Sequence, residues 1–384
     1  MDRFDVVVVG AGLAGLSCAK WLAERGRSVL LVDRKSRLDE SVHTTGIFVR
    51  RTLEDFAFPE SCLGPVVRDV RLYSPRRRML ELSSPHDEYR VGKMGPLYSH
   101  LLGAARGAGV RFDAEACFRN AEPNENGLRL NLETHGIRRS VQAAYLIGAD
   151  GANSRAARAL SLSSNREWIV GVEEVYDSRS IGSPACLHCF LDPHLAPGYI
   201  AWIAHDGEEM HVGVGGYGDR FDPNDSLARF RREVPRFVGF DGLRLIERRG
   251  GRIPVGGLLP NIINDRGLLV GDAAGAVSPL TAGGLDPCLR QSALAVDVID
   301  QFLRSRASET LARYESPLFK KRFRTRSLMR RGVASVRSPW LAELGFAALC
   351  LPPFKSLARC VFFGRGSFPV DREELQPCPG FRAI

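Results

Sequence analysis

No stretch of the 384 residues approaches the run of about twenty apolar side chains that a membrane-crossing helix needs. The first strand begins at Phe4, so nothing at the N-terminus reads as a signal peptide. No Ser/His/Asp triad, metal-ligand cluster or Walker-type phosphate loop stands out, and no repeat or low-complexity tract is visible. Nine cysteines, odd in number and scattered, argue against a disulfide frame and for reduced thiols in a cytoplasmic setting. Cys186-Leu-His-Cys189 has metal-like spacing but no second pair. In a strand-like run its first and fourth positions point to opposite faces, so it reads as core. Acidic residues are in deficit, 44 against 53 basic, which leaves a net charge of +9.

What is present begins at once. Asp5-Val-Val-Val-Val-Gly10 reads as a strand buried on both faces, followed by Gly10-Ala-Gly12-Leu-Ala-Gly15 and a helix, then Val29-Leu-Leu-Val-Asp33 as a second strand ending on a carboxylate. Gly10 lets the chain turn sharply, Gly12 removes the side chain that would block a pyrophosphate, and Gly15 lets helix and strand approach. The helix N-terminus stabilises phosphate, and Asp33 can accept bonds from ribose hydroxyls. NAD and FAD both fit this unit.

Polar residues 34–46 lead to a short helix at 50–56. Alternation over 66–73, 79–82 and 89–91 predicts antiparallel strands outside the nucleotide sheet. A helix is expected over 96–108, a parallel strand at 110–112, a hairpin from 128–132 and 138–144, and a separate buried strand at 145–148. Residues 167–252 are strand-rich, with one helix near 226–234, and residues 267–270 return to the parallel sheet before a long helix over 286–304. The expectation is an α/β protein: a Rossmann-like domain from 1–60, 95–160 and 255–315, an inserted antiparallel β-rich substrate domain from 61–94 and 161–254, and a C-terminal helical region, 316–384.

Gly148-Ala-Asp150-Gly151-Ala-Asn-Ser154-Arg155 places an acid at a helix start, which serves equally as a cap and as a ligand contact. Gly271-Asp272-Ala-Ala-Gly-Ala-Val-Ser278-Pro279-Leu-Thr281-Ala-Gly283-Gly284 says more. A carboxylate at a strand end suits a polyol hydroxyl, and the glycine pair lets a flat ring approach a helix start whose positive end stabilises charge on a reduced flavin. A nicotinamide enzyme has no use for this second site. The two sites together fit FAD stretched between them.

These three motifs, in this order, resemble the FAD-dependent oxidoreductases of the p-hydroxybenzoate hydroxylase fold, and within them the geranylgeranyl reductase family, over roughly residues 1–320. Pro197-Gly-Tyr199-Ile-Ala-Trp202-Ile and Met210-His-Val-Gly-Val-Gly-Gly216 resemble that family's Tyr-x-Trp-x-Phe-Pro strand. Two residues rather than one separate Tyr199 from Trp202, and Ala204-His205 stand in for Phe-Pro. Met94 occupies the place of an arginine that commonly contacts the pyrophosphate, with only Lys93 near it.

The resemblance implies that Gly10, Gly12, Leu13, Ala14 and Gly15 hold the pyrophosphate and Asp33 the adenosine ribose. It places Asp272 on the ribityl chain, with further cofactor contacts at Arg34, Thr45, Gly46, Asp150, Gly271 and Leu285. Pro279, Gly283 and Gly284 would line the flavin ring, with Tyr199 and Trp202 walling the substrate side; His205 and His211 are candidates for acid–base work. The implied reaction is reduction of FAD by NAD(P)H or another donor, then hydride delivery from flavin N5 to an alkene of an apolar, isoprenoid-like substrate. The alternatives are a flavin monooxygenase acting on an aromatic or polyketide ring, a flavin halogenase, and a non-catalytic flavoprotein.

Lys320-Lys-Arg322-Phe-Arg324-Thr-Arg326-Ser-Leu-Met-Arg330-Arg331 packs seven cations into twelve residues, and apolar 340–351 is broken by Pro352-Pro353. Helices lying on an anionic membrane surface or capping a substrate tunnel are expected, with a helix docked on the core as the alternative. No aromatic-basic module points to nucleic acid.

Overall fold

The computed structural model describes residues 1–125, 127–315 and 317–364, and for 315 and 317–322 the backbone alone. Three sheets carry the chain. The first runs, edge to edge, Arg111–Asp113, Val29–Val32, Arg3–Val9, Ile137–Gly148, Gly127–Thr134 and Ala116–Asn124, with Gly267–Leu269 also paired to Ile137–Gly148. Val6, Val7 and Val8 are fully buried because both faces of this strand are covered. Each such side chain contributes about 1.5–3 kcal/mol of burial, which is why a near-continuous valine run reads as a central parallel strand.

The expected hairpin arm at 138–144 and buried strand at 145–148 are one strand, Ile137–Gly148. Its first part pairs antiparallel with Gly127–Thr134, and its last three residues run parallel to Gly267–Leu269. One long strand thus joins an antiparallel edge to a parallel centre. The helix Leu13–Ala23 is buried at every position, packed against this sheet and the long helix Leu285–Ser305. A helix covered on all sides needs no polar face, and this one has little.

The second sheet has seven strands in the order Arg244–Pro254, Trp168–Asp177, Glu209–Gly216, Ala201–His205, Cys186–Phe190, Asp69–Tyr73 and Met79–Ser83. All pairs are antiparallel except Cys186–Phe190 with Asp69–Tyr73. Alternation gives it two unlike faces. One carries Tyr73, Tyr176, Phe190, Ile203, Val212 and Val214, which form a core with Leu227 and Phe230 of the helix Pro223–Arg231. The other carries Gly171, Glu173, Trp202, His211, Gly213 and Arg249, in register across four strands.

A third, small sheet of Ile47–Val49, Tyr89–Gly92 and Leu63–Val67 completes the strands. The run 66–73, expected as one strand, is divided: Leu63–Val67 belongs to this sheet and Asp69–Tyr73 to the second. Helices Pro317–Ser335, Pro339–Leu349 and Pro352–Phe363 follow, all three opening on proline, whose fixed φ suits a first turn. Glu343 ties Pro339–Leu349 down, accepting from the Arg76 N–H at 2.5 Å and from Arg78 Nη2 at 2.7 Å. The C-terminal region expected over 316–384 continues past the described residues at 365.

Candidate active site

The three glycines of the opening turn are not equivalent. Gly10 has φ +102°, and a Cβ there would lie 2.3 Å from the Ala149 carbonyl oxygen. A Cβ on Gly15 would lie 1.8 Å from the Gly10 oxygen. Both are glycine because the protein itself fills the space. A Cβ on Gly12 meets nothing within 4 Å, although Gly12 immediately precedes the helix at Leu13. Open space in front of unpaired helix N–H groups fits the pyrophosphate of a dinucleotide. Asp33 supports the turn as well: its Oδ2 accepts the Ala11 N–H at 2.7 Å and its Oδ1 the Lys35 N–H at 2.9 Å. Lone pairs remain for a ribose hydroxyl, while Arg34 is exposed beside it.

The late motif reaches the same place from the other side. Gly271, at φ +60°, sits where a Cβ would be 3.3 Å from the Ala14 Cβ, and its N–H donates to Gln291 Oε1 at 2.9 Å. Asn165 Nδ2 bridges the carbonyls of Asp272 at 2.8 Å and Ala152 at 3.1 Å, joining the late motif to the Asp150 turn. The Asp272 carboxylate takes no side-chain donor from the described residues, and burial pushes it up to about 6. A half-buried carboxylate with free lone pairs fits a ligand hydroxyl. Pro279 is buried under the loop, Ser278 closes it by donating its N–H to the Gly283 carbonyl at 3.0 Å, and Gly284 precedes Leu285, the first residue of the long helix. Gly283 is exposed, and a Cβ there would touch only Thr281 Oγ1, so this helix start is open to a flat ring.

Tyr199 reaches this loop, and Trp202 stands beside it on the second sheet. The Tyr199 hydroxyl donates to the Thr281 carbonyl at 2.7 Å, which pins the aromatic wall to the late motif. Tyr199 lies in the turn before the strand Ala201–His205, not in the strand. The two rings meet edge to face with centroids 6.5 Å apart. Each lies over a glycine of the adjoining strand: a Cβ on Gly213 would strike the Trp202 ring at 2.2 Å, and one on Gly215 the Tyr199 ring at 2.9 Å. The alternate glycines of Met210 to Gly216 exist to seat these rings.

Glu173 was not singled out from the sequence, yet it is the hub behind the wall. Its Oε2 accepts from Trp202 Nε1 at 3.1 Å and from Thr45 Oγ1 at 2.7 Å, and its Oε1 lies 3.4 Å from His211 Nδ1 and 3.5 Å from Arg249 Nη1. Burial opposes charge on both groups, but their mutual attraction wins: Glu173 stays below its ordinary range, and Glu173 with Glu209 lifts His211 to about 9. Arg249 Nη1 donates to the Thr44 carbonyl at 2.9 Å, so the loop bearing Thr45 and Gly46 is fastened to the sheet. The signal for Glu173 was an acid inside an apolar strand, and only its partners show what it is for.

Other candidates fall elsewhere. Asp150 caps the helix Arg155–Ala159: its Oδ2 accepts the N–H groups of Arg155 at 2.6 Å and Ala156 at 3.1 Å, and its Oδ1 accepts from the Ser154 hydroxyl at 2.6 Å. Met94 is buried beneath Gly46, and Lys93 pairs with Glu208 at 2.7 Å. His205 is buried, which lowers its pKa, and it borders a small apolar cavity with Ile47, Val91 and Leu187. Burial raises Cys186 to about 12 and raises Cys189 as well, which disfavours the thiolate at both. No group of metal-ligating side chains occurs among the described residues.

Similarity to known proteins agrees with this geometry. A profile for FAD dependent oxidoreductases matches residues 5–100, and one for an FAD binding domain matches residues 68–319, more than half of the chain. A digeranylgeranylglycerophospholipid reductase of Methanothrix thermoacetophila is 30% identical over 315 residues, covering 77% of this chain and 78% of that protein. One from Methanopyrus kandleri is 30% identical over 316 residues, covering 77% and 76%. Among solved structures, a geranylgeranyl bacteriochlorophyll reductase-like protein from Thermoplasma acidophilum superposes with a TM-score of 0.83 at 20% identity, covering 94% of this chain and 97% of the other. A p-nitrophenol 4-monooxygenase from Pseudomonas putida gives 0.71 at 16% identity, covering 98% and 99%, and shares the fold. The chain therefore belongs to the FAD-dependent oxidoreductases of this FAD-binding fold, in the family that contains the digeranylgeranylglycerophospholipid reductases.

Proposed function

We propose that this protein reduces carbon–carbon double bonds of an isoprenoid chain, with NAD(P)H or another donor recharging its FAD. The observation that carries this reading is the similarity to digeranylgeranylglycerophospholipid reductases over about three quarters of both chains. The wall agrees with it. Tyr199 and Trp202 offer ring faces to an apolar chain, and their polar atoms are already engaged by Thr281 and Glu173. Glu173 and His211 are paired with each other, so neither stands free to deprotonate a phenol. Bound FAD supplies the hydride. Gly12 and the start of Leu13–Ala23 hold its phosphates, Asp33 its ribose, Asp272 its ribityl hydroxyls, and Gly283 and Gly284 its ring edge.

The C-terminal helices bring the substrate in from a lipid surface. Trp340, Leu341 and Leu344 on Pro339–Leu349, Phe354 and Leu357 on Pro352–Phe363, and Leu351 in the break between them are exposed, and the two helices meet at 96°. No single described helix is long and apolar enough to cross a membrane. An apolar elbow with Lys355 and Arg359 beside it, on a chain of charge +9, suits insertion into the boundary of an anionic leaflet.

Mass spectrometry of the products tests the reaction. Each reduced double bond adds two hydrogens, with or without oxygen present. Incorporation of an oxygen atom, dependent on air, would show a monooxygenase instead.

A further inference from the structure

A line of polar side chains runs along the second sheet, on the face that carries Trp202, and its two ends differ. The outer end is Glu209, whose side chain keeps 30% exposure and brings Oε2 to 3.4 Å from Nε2 of His211. That contact has ion-pair distance without hydrogen-bond alignment. His211 is 1% exposed, and its Nδ1 lies 3.4 Å from Oε1 of Glu173. Glu173 is 5% exposed, and its Oε2 accepts from the Thr45 hydroxyl at 2.7 Å. Alternation puts Glu209 and His211 on one face, and Glu173, opposite Gly213 on the next strand, reaches His211 on the diagonal. Half-buried Thr45 is the inner end. It shares Oε2 of Glu173 with the Trp202 indole, whose ring meets Tyr199, so this end lies beside the aromatic wall. Arg249 stands 3.5 Å from Glu173 Oε1, Asp206 acts on His211, and Lys93 acts on Glu209. Glu173 and Glu209 outweigh burial and Arg249, and keep His211 an imidazolium up to about pH 9. Burying charge is costly, and a neutral acceptor would hold Trp202 and Thr45 as well. What the charged pair adds is a transferable proton.

We propose that Glu209, His211, Glu173 and Thr45 form the path by which a proton reaches the double bond. The path rests on the proposed alkene reduction and supplies the half of it that hydride leaves open. A hydride brings its electron pair to one alkene carbon, and the displaced π pair forms a C–H bond at the other carbon with a proton. With its hydrogen turned to the substrate, the Thr45 hydroxyl gives that proton and takes one from Glu173. Glu173 takes its proton from His211, and His211 is reprotonated from water by way of Glu209. Every transfer breaks one O–H or N–H bond and makes one bond to hydrogen, so each double bond consumes one hydride and one solvent proton. Thr45 acts on the substrate, while Glu173 and His211 act through Thr45. The pair is charged at rest, so Glu173 holds a proton only in passing.

The test mixes the chemically reduced, FAD-loaded protein with an unsaturated isoprenoid without oxygen, and compares Thr45→Val and Thr45→Ser with the wild type. Wild-type flavin reoxidation is expected to slow as pH rises through about 9. Thr45→Val is expected to be at least tenfold slower and to lose that pH dependence, and Thr45→Ser to regain most of both. A second measurement needs no turnover. Histidine 15N resonances of the FAD-free protein, with His211 assigned by its loss in His211→Gln, are expected to show His211 protonated on both nitrogens at pH 7. If the isoprenoid does not reoxidise the wild-type flavin at any pH, the reductase reading falls and takes the path with it. If it does, the path alone is overturned by any of three results: wild-type speed in Thr45→Val, a slow Thr45→Val that keeps the wild-type pH dependence, or a neutral His211 at pH 7.

Discussion

At the scale of single residues, the opening glycines separate folding from binding. Gly15→Ala drives a Cβ into a backbone oxygen 1.8 Å away and is expected to cost about 3 kcal/mol or more of stability, as overpacking does. Gly12→Ala meets open space, so the thermal midpoint of the FAD-free protein stays put while FAD affinity falls at least tenfold, about 1.4 kcal/mol. Fluorescence titration and thermal melts of the two variants check both halves. Asp272 adds a pH signature. Its carboxyl, at an ordinary 3.8, is raised to about 6 by burial, and hydroxyl donors from a ligand favour the charged form and lower it again. Binding then expels a proton, so FAD affinity is expected to rise between pH 4 and 6, and Asp272→Asn to abolish the rise. Gly10, Gly12, Gly15 and Asp272 were legible because each answers to local chain geometry or to one motif. Glu173 was not, since an acid acquires meaning only from partners far along the chain.

The second sheet is the element on which the site is built, and its stability depends on Glu173. Replacing Glu173 with alanine removes a buried carboxylate that His211, Trp202, Thr45 and the half-buried Arg249 share, leaving Glu209 to pair His211 and Glu247 to pair Arg249, and is expected to cost about 1–3 kcal/mol. The ion pair also sets a pH window. His211 rises from an ordinary 6.5 to about 9, against the burial that opposes it, because Glu173 and Glu209 favour the imidazolium. A raised folded pKa stabilises fully below pH 6.5 and loses that contribution as pH climbs to about 9. Urea midpoints should fall across this range, and His211→Gln should flatten the fall. Alternation in the sequence located most of these strands but not their sheet membership. Residues 66–73 look continuous, yet Arg68 divides two sheets, because the break is set by pairing partners rather than by local pattern.

For the whole molecule, the order of motifs along the chain already implied FAD lying between the opening turn and the late glycine pair. The junctions that close this arrangement, Tyr199 to Thr281 and Asn165 to Asp272, are long-range and left no trace in spacing. The basic run shows the same limit at larger scale: composition announced a charged helix, and packing decided that Arg326 and Arg330 face inward while Trp340, at 62% exposure, and its apolar neighbours face out. Flotation with anionic vesicles is expected to carry the protein, with binding weakened by salt and lost when Trp340, Leu344 and Leu357 are changed together to serine. The most direct measurement of the central claim is anaerobic stopped-flow absorbance of the chemically reduced, FAD-loaded protein mixed with an unsaturated isoprenoid. The account predicts that the yellow oxidised flavin returns in step with saturation of the double bond and without oxygen. A flavin that stays reduced until air is admitted, and then yields an oxygenated product, would contradict it.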